Sequence, residues 1–163
     1  MDAVDGMCSE EIGRELRVAG FTIACAESCT GGLLTSTLTD IPGSSAYLMG
    51  SVVSYSNDVK SRILGVSEET LSRYGAVSEE TAHAMAEGVR RLMQTDIGVG
   101  ITGIAGPDGG SEEKPVGLVY IAIADQTHTI VEKNNFSGTR LENKRAAVEK
   151  ALHMIHDVIR SSL

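Results

Sequence analysis

No stretch of the chain approaches the ~18 consecutive apolar residues of a membrane helix. Its opening residues, Met1-Asp2-Ala3-Val4-Asp5, are acidic where a signal peptide is basic. Both absences point to a cytoplasmic protein without a membrane partner. Cysteine is scarce: Cys8, Cys25 and Cys29 are odd in number and lack a C-x-x-C spacing, which favours reduced thiols over a disulfide framework. Basic residues are outnumbered, 14 Lys and Arg against 22 Asp and Glu, for a net charge of −8. Non-specific nucleic-acid binding relies on clustered Lys and Arg, so that class of partner is excluded. Linkers, low-complexity segments and long-period repeats are also missing. The 163 residues therefore read as one domain, large enough for a core without disulfides or metal.

Much of the acid that is present has a structural origin. Ser9-Glu10-Glu11, Ser67-Glu68-Glu69 and Ser78-Glu79-Glu80 each read as an N-cap followed by first-turn carboxylates facing a helix dipole. Ser111-Glu112-Glu113 is followed by Lys114-Pro115 and does not fit that pattern.

The spacing predicts a helix over Ser9–Ala19 stopped by Gly20, a strand over Phe21–Ala26, and a helix from Thr30 to Thr39. A second strand follows at Tyr47–Tyr55, then short helical pieces at Asp58–Leu64 and Glu68–Tyr74. Glu79–Met93 is the clearest helix, with Ala82, Met85, Ala86, Val89, Leu92 and Met93 at helical spacing. Asp96–Thr102 is a third strand, and Val116–Ala124 with Thr127–Phe136 forms a hairpin around Asp125-Gln126. The last helix starts at a Thr139-x-x-Glu142 capping box and buries Val148, Ala151, Leu152, Ile155 and Ile159. Helices alternating with strands, then a hairpin and a helix, predict a three-layer α/β/α domain with a mixed, roughly five-stranded sheet.

In such sheets the site lies beyond the carboxyl ends of the strands, and three ends carry unusual chemistry. The first is Ala26-Glu27-Ser28-Cys29-Thr30-Gly31-Gly32. A hydroxyl beside a thiol at a strand-to-helix junction suits a displayed nucleophile, and the helix start offers free N–H groups to an anion. A tight capped turn accounts for it equally well. A thiol at a helix start has a lowered pKa, so Cys29 rivals Ser28. Glu27 either orients a lysine or substrate amide, or serves as a dipole partner. The second end, Ser54 to Lys60, supplies Tyr55 and Lys60. Lysine activates a serine only when desolvation lowers its pKa from ~10.4 to ~7–8. Tyr55 would relay a proton or position the amine, unless it is simply a strand aromatic. The third end, Thr102-Gly103-Ile104-Ala105-Gly106 through Gly110, is glycine-rich, which lets backbone N–H groups approach a ligand. It matches neither a Walker A nor a dinucleotide fingerprint, and a plain surface loop is the competing explanation. His83 and His128 are isolated, and His153 and His156 lack a third ligand at convincing spacing, so no metal is expected.

Ala26–Gly32, Val-Ser-Tyr-Ser-Asn-Asp-Val-Lys at 53–60, Gly-Ala-Val-Ser-Glu-Glu at 75–80 and the run 102–117 occur in one chain and in this order. The combination resembles the CinA C-terminal domain family of nicotinamide mononucleotide deamidases, over about Ser9 to Ile159. The resemblance implies hydrolysis of nicotinamide mononucleotide to nicotinic acid mononucleotide and ammonia, with no cofactor or metal. It implies Ser28 as nucleophile, Lys60 as general base and Tyr55 as an assisting residue. Ligand contacts are expected from Glu27, Cys29, Thr30, Gly31, Gly32, Thr102, Gly103, Ile104, Ala105, Gly106 and Arg140. Arg140 matches an arginine usually preceded by Asp, where this chain has Thr139. The expected partner is a pyridine mononucleotide, with a homodimer as the expected oligomer, and the length suits the family's stand-alone form. The competing expectation is a silent pyridine-nucleotide-binding module acting through a protein partner.

Overall fold

Large apolar residues alternate with glycine and alanine along the central strands, and that alternation builds the layers. A computed structural model describes the backbone of residues 2–162 and the side chains of residues 9–162. The elements are α1 (Asp2–Ala19), β1 (Ile23–Glu27), α2 (Leu33–Thr39), β2 (Leu48–Val53), α3 (Asn57–Arg62) and α4 (Glu68–Tyr74). They continue with α5 (Glu79–Met93), β3 (Ile97–Gly103), β4 (Leu118–Ala124), β5 (Thr129–Asn135) and α6 (Arg140–Ser161). The sheet runs β2-β1-β3-β4-β5. β1 is parallel to β2 and β3, whereas β3–β4 and β4–β5 are antiparallel. This is the mixed five-stranded α/β/α arrangement that the pattern predicts.

On one face Ile23, Cys25, Val99, Ile101, Ile121 and Ile123 form a single core with α1, α2 and α6. Each such side chain contributes about 1.5–3 kcal/mol by leaving water. The other face presents Ala24, Ala26, Gly98, Gly100, Ala122 and Ala124 to α5. A Cβ on Gly98 would lie 2.2 Å from Ala86 O, and one on Gly100 would lie 2.5 Å from Ala82 O. The missing side chains are what let α5 lie directly on β3.

Ser67 and Ser78 cap α4 and α5 by accepting from the amides of Thr70 and Thr81. Thr139 and Glu142 form the expected reciprocal box at the start of α6. Two boundaries differ from expectation. α1 begins at Asp2, so Ser9-Glu10-Glu11 falls within the helix and not at its start. α2 begins at Leu33 rather than Thr30, because Gly31 and Gly32 adopt φ of 62° and 101°, outside the right-handed helical region. The hairpin closes with Asp125 N–H donating to His128 O, and pairing starts at Ala124 and Thr129. The Cys25 thiol is free and buried, and the Cys8 side chain lies outside the described residues. No described helix is long and apolar enough to cross a membrane.

Candidate active site

β1, β2 and β3 are parallel, so their carboxyl ends meet at one edge of the sheet. Ser28 is the first residue past β1, and its amide donates to Ile101 O at 3.0 Å. Lys60 comes from α3, a helix capped by the Ser56 hydroxyl, which accepts from Val59 N–H. The Lys60 side chain is 1% exposed. Its Nζ donates to Ser54 O at 2.6 Å and to Ser28 Oγ at 3.1 Å. Ser54 is in turn fixed to β1, its amide donating to Glu27 O at 2.7 Å. None of the ion pairs among the described residues involves Lys60. Burial therefore pushes its pKa below the ordinary lysine value, with the Cys29 thiol opposing the shift.

A cavity of about 270 Å³ opens over this pair. Ser28, Cys29 and Lys60 line it together with Tyr55, residues 102–106 and Arg140. Thus three strand ends and the start of α6 converge as the sequence places them. Arg140 donates to Gly106 O at 2.5 Å and to Tyr55 Oη at 3.1 Å, so it ties the β3 loop to the segment after β2. Thr139 fills the N-cap position before Arg140 just as an Asp would, so the departure from the family pattern leaves Arg140 in the first helical turn.

Four of the residues expected to contact ligand do not line this cavity. The Glu27 carboxylate is fully buried and points away from Lys60, into the start of α2. It accepts from the hydroxyls of Thr30 and Thr35 and from the amides of Gly32, Leu34 and Thr35. The anion at this helix start is therefore the protein's own, and of the two roles weighed for Glu27 the dipole partner is the one present. Thr30, Gly31 and Gly32 belong to the same capping turn and do not line the cavity. Two further expectations change. Burial raises the Cys29 thiol to about 11, opposite to the lowering expected at a helix start. Tyr55 is 66% exposed and its hydroxyl meets Arg140, with no hydrogen bond to Ser28 or Lys60. It stands at the rim, away from any proton path through those two groups.

Sequence reasoning proposed no site role for Ala76 and Val77, which also line the cavity, and did not single out Asn57, Asp108 and Gly109 within the two strand ends it named. It also missed Asn143, 1% exposed, whose side chain donates to Ala105 O at 2.9 Å and accepts from Gly138 N–H at 2.9 Å. A signal existed: Asn143 sits at four-residue spacing from Ala147 and Ala151, a polar residue on an apolar stripe. Away from the site, His156 Nδ1 lies 2.8 Å from the Glu15 carboxylate, near Glu11. Sequence spacing gave His156 no acidic neighbour, and the packing of α1 on α6 supplies one. A second cavity, about 310 Å³, lies at the opposite end of the sheet beside Phe21 and the hairpin turn. Its serines, Ser161 and Ser162, donate to helix carbonyls, and its Thr127 hydroxyl lies 3.0 Å from the Asp125 carboxylate and 2.9 Å from His128 Nδ1.

The fold and this edge define a class: a mixed-sheet α/β/α domain with a buried lysine on a serine beyond the first strand. The chain belongs to the CinA family: the CinA C-terminal domain model matches residues 6–159. It is 52% identical over 143 residues to a CinA-like protein of Endomicrobium trichonymphae, covering 88% of this chain and 33% of that one. A protein of Halothermothrix orenii bearing the competence-damage inducible name is 49% identical over 154 residues, covering 94% of this chain and 37% of the other. The chain thus spans about a third of the length of these curated relatives. Among solved structures, the competence/damage inducible protein CihA of Agrobacterium tumefaciens superposes with a TM-score of 0.92 at 40% identity, covering 94% of both chains. A CinA superfamily protein of Escherichia coli gives 0.89 at 30% identity, covering 93% of this chain and 88% of that one.

Proposed function

We propose that this domain is an amidohydrolase that converts nicotinamide mononucleotide to nicotinic acid mononucleotide and ammonia through a Ser28–Lys60 pair. The observation that carries the reading is the 3.1 Å contact between Lys60 Nζ and Ser28 Oγ, both buried at the floor of the cavity. A charged amine directs protons at both Ser54 O and Ser28. Burial favours its loss of one proton. The neutral amine keeps its bond to Ser54 O and turns a lone pair on the Ser28 hydroxyl.

Ser28 Oγ then attacks the carboxamide carbon while its proton passes to Lys60. The tetrahedral oxyanion needs N–H donors. Gly31 and Gly32 amides are engaged by Ser28 O and Glu27, and Thr30 does not line the cavity, so the donor this turn offers is the Cys29 amide, near its own sulfur. Collapse breaks the C–N bond as Lys60 returns the proton, so the departing NH2 leaves as ammonia. Water repeats the sequence on the Ser28 ester. It gives its proton to Lys60, frees the carboxylic acid, and the proton returns to Ser28. Ala76, Val77 and Ile104 offer an apolar wall for the pyridine ring, and Arg140 offers the cation for the phosphate.

Incubation with nicotinamide mononucleotide, with assay of ammonia, tests the proposal. Release by the wild-type protein, absent in Ser28→Ala, is expected. Tight mononucleotide binding without ammonia between about pH 6 and 9 would replace the enzyme by a silent binding module.

A further inference from the structure

Three charged side chains line the cavity: Lys60, Arg140 and Asp108. The first two have acceptors within the protein. The Asp108 carboxylate has no hydrogen bond or ion pair with any described residue, and it is exposed on the cavity side of the β3–β4 loop. That loop is pinned at both ends. Ile104 N–H donates to Leu118 O, and Gly117 N–H donates to Ile104 O. At its outer turn Ser111 and Lys114 bond to each other, and Lys114 Nζ donates to Tyr74 O at 2.7 Å, at the carboxyl end of α4. The Ser111-Glu112-Glu113-Lys114 run, which caps no helix, thus acts as a clamp. Gly106 and Gly110 flank Asp108 and pack so closely on Val116 that a Cβ on either would clash with it. The loop that carries Asp108 is therefore braced beside the cavity, and among the described residues no cation pairs with the carboxylate.

We infer that Asp108 is a specificity-determining residue that selects a ligand whose ring is a cation. The inference rests on the pyridine-nucleotide reading above. A carboxylate on the wall repels phosphate and attracts a positive group elsewhere on the ligand. An N-glycosylated nicotinamide ring carries one positive charge, whereas the 1,4-dihydro ring is neutral with the same ribose, phosphate and carboxamide. Arg140 on one side and Asp108 on the other thus match a ligand with an anionic tail and a cationic ring.

The test is calorimetric titration of the Ser28→Ala protein, which holds ligand without turnover, with nicotinamide mononucleotide and with its 1,4-dihydro form. Asp108→Asn added to Ser28→Ala should weaken binding of the cationic form about fivefold, the scale of one exposed ion pair. The neutral form should change less than about twofold, since no ion pair is lost with it. Equal weakening of both forms overturns the inference, because Asp108 would then read the ribose hydroxyls. No change in either overturns it as well, leaving a solvated loop carboxylate. Binding of neither form to Ser28→Ala refutes the pyridine-nucleotide reading itself, and this inference with it. Matching thermal melts of the two proteins separate all these results from misfolding.

Discussion

Lys60 is buried at a cost to the fold, and in the proposed reaction that burial gives the site its base. The unfolded chain holds a proton on this amine up to its ordinary pKa of 10.5, the folded chain only to a lower one. Between the two the unfolded state binds more protons, so stability rises with pH through that window and is lowest, by a constant amount, below the folded pKa. Lys60→Met removes this penalty and the base together. Turnover should fall by about 10²–10⁴, the usual contribution of a general base. The thermal midpoint near neutral pH should stay level or rise, with little change in mononucleotide affinity. In the wild-type protein kcat/KM should climb with pH through the lowered Lys60 pKa and level off above it. A profile that falls over the same range would remove Lys60 as the base. Cys29 makes the contrast. With its thiol raised to about 11, Cys29 stays protonated near neutral pH. Chemistry inferred from the sequence alone could not separate Ser28 from Cys29, because both lie at the same strand end. Burial and the position of Nζ separate them, and neither is a local property.

At the scale of elements, the short helix α2 depends on a side chain from the preceding strand. Glu27→Ala would leave several buried donors facing an apolar gap and should destabilise the domain by about 3 kcal/mol, read from urea unfolding. An unchanged midpoint would contradict that capping role. The stretch 26–32 disclosed a turn before a helix, but the carboxylate's direction depends on which face of β1 packs on α2, which local sequence does not encode. The pairing of α5 with β3 was easier to read. Its helical stripe was evident, while the reason for Gly98 and Gly100 emerged only when backbone atoms of Ala82 and Ala86 were found against them. Gly100→Ala should cost about 2 kcal/mol through overpacking, measured the same way. Caps at Ser67, Ser78 and Thr139 were legible because they are local hydrogen bonds. The start of α1 was not, since Ser9 matches a cap motif that a longer helix simply runs through. Asn143 links α6 to Ala105 across 38 residues, so Asn143→Ala should raise KM more than it lowers kcat by loosening the β3 loop.

Across the whole molecule the site is a product of topology. Parallel pairing of β1 with β2 and β3 brings residues 28, 60 and 102–106 to one edge, and α6 returns along the large-residue face to add Arg140. The order of helices and strands was enough to predict that edge, since a parallel sheet gathers its strand ends. It was not enough to say which side chains face the gap. Glu27 and Thr30 lie within the same stretch as Ser28 and point into the protein. If a buried lysine activates Ser28 toward a carboxamide, the most direct measurement compares ammonia release from nicotinamide mononucleotide by wild type, Ser28→Ala and Cys29→Ala. Retained turnover in Cys29→Ala with none in Ser28→Ala is the predicted result. Turnover surviving in Ser28→Ala and lost in Cys29→Ala would contradict it.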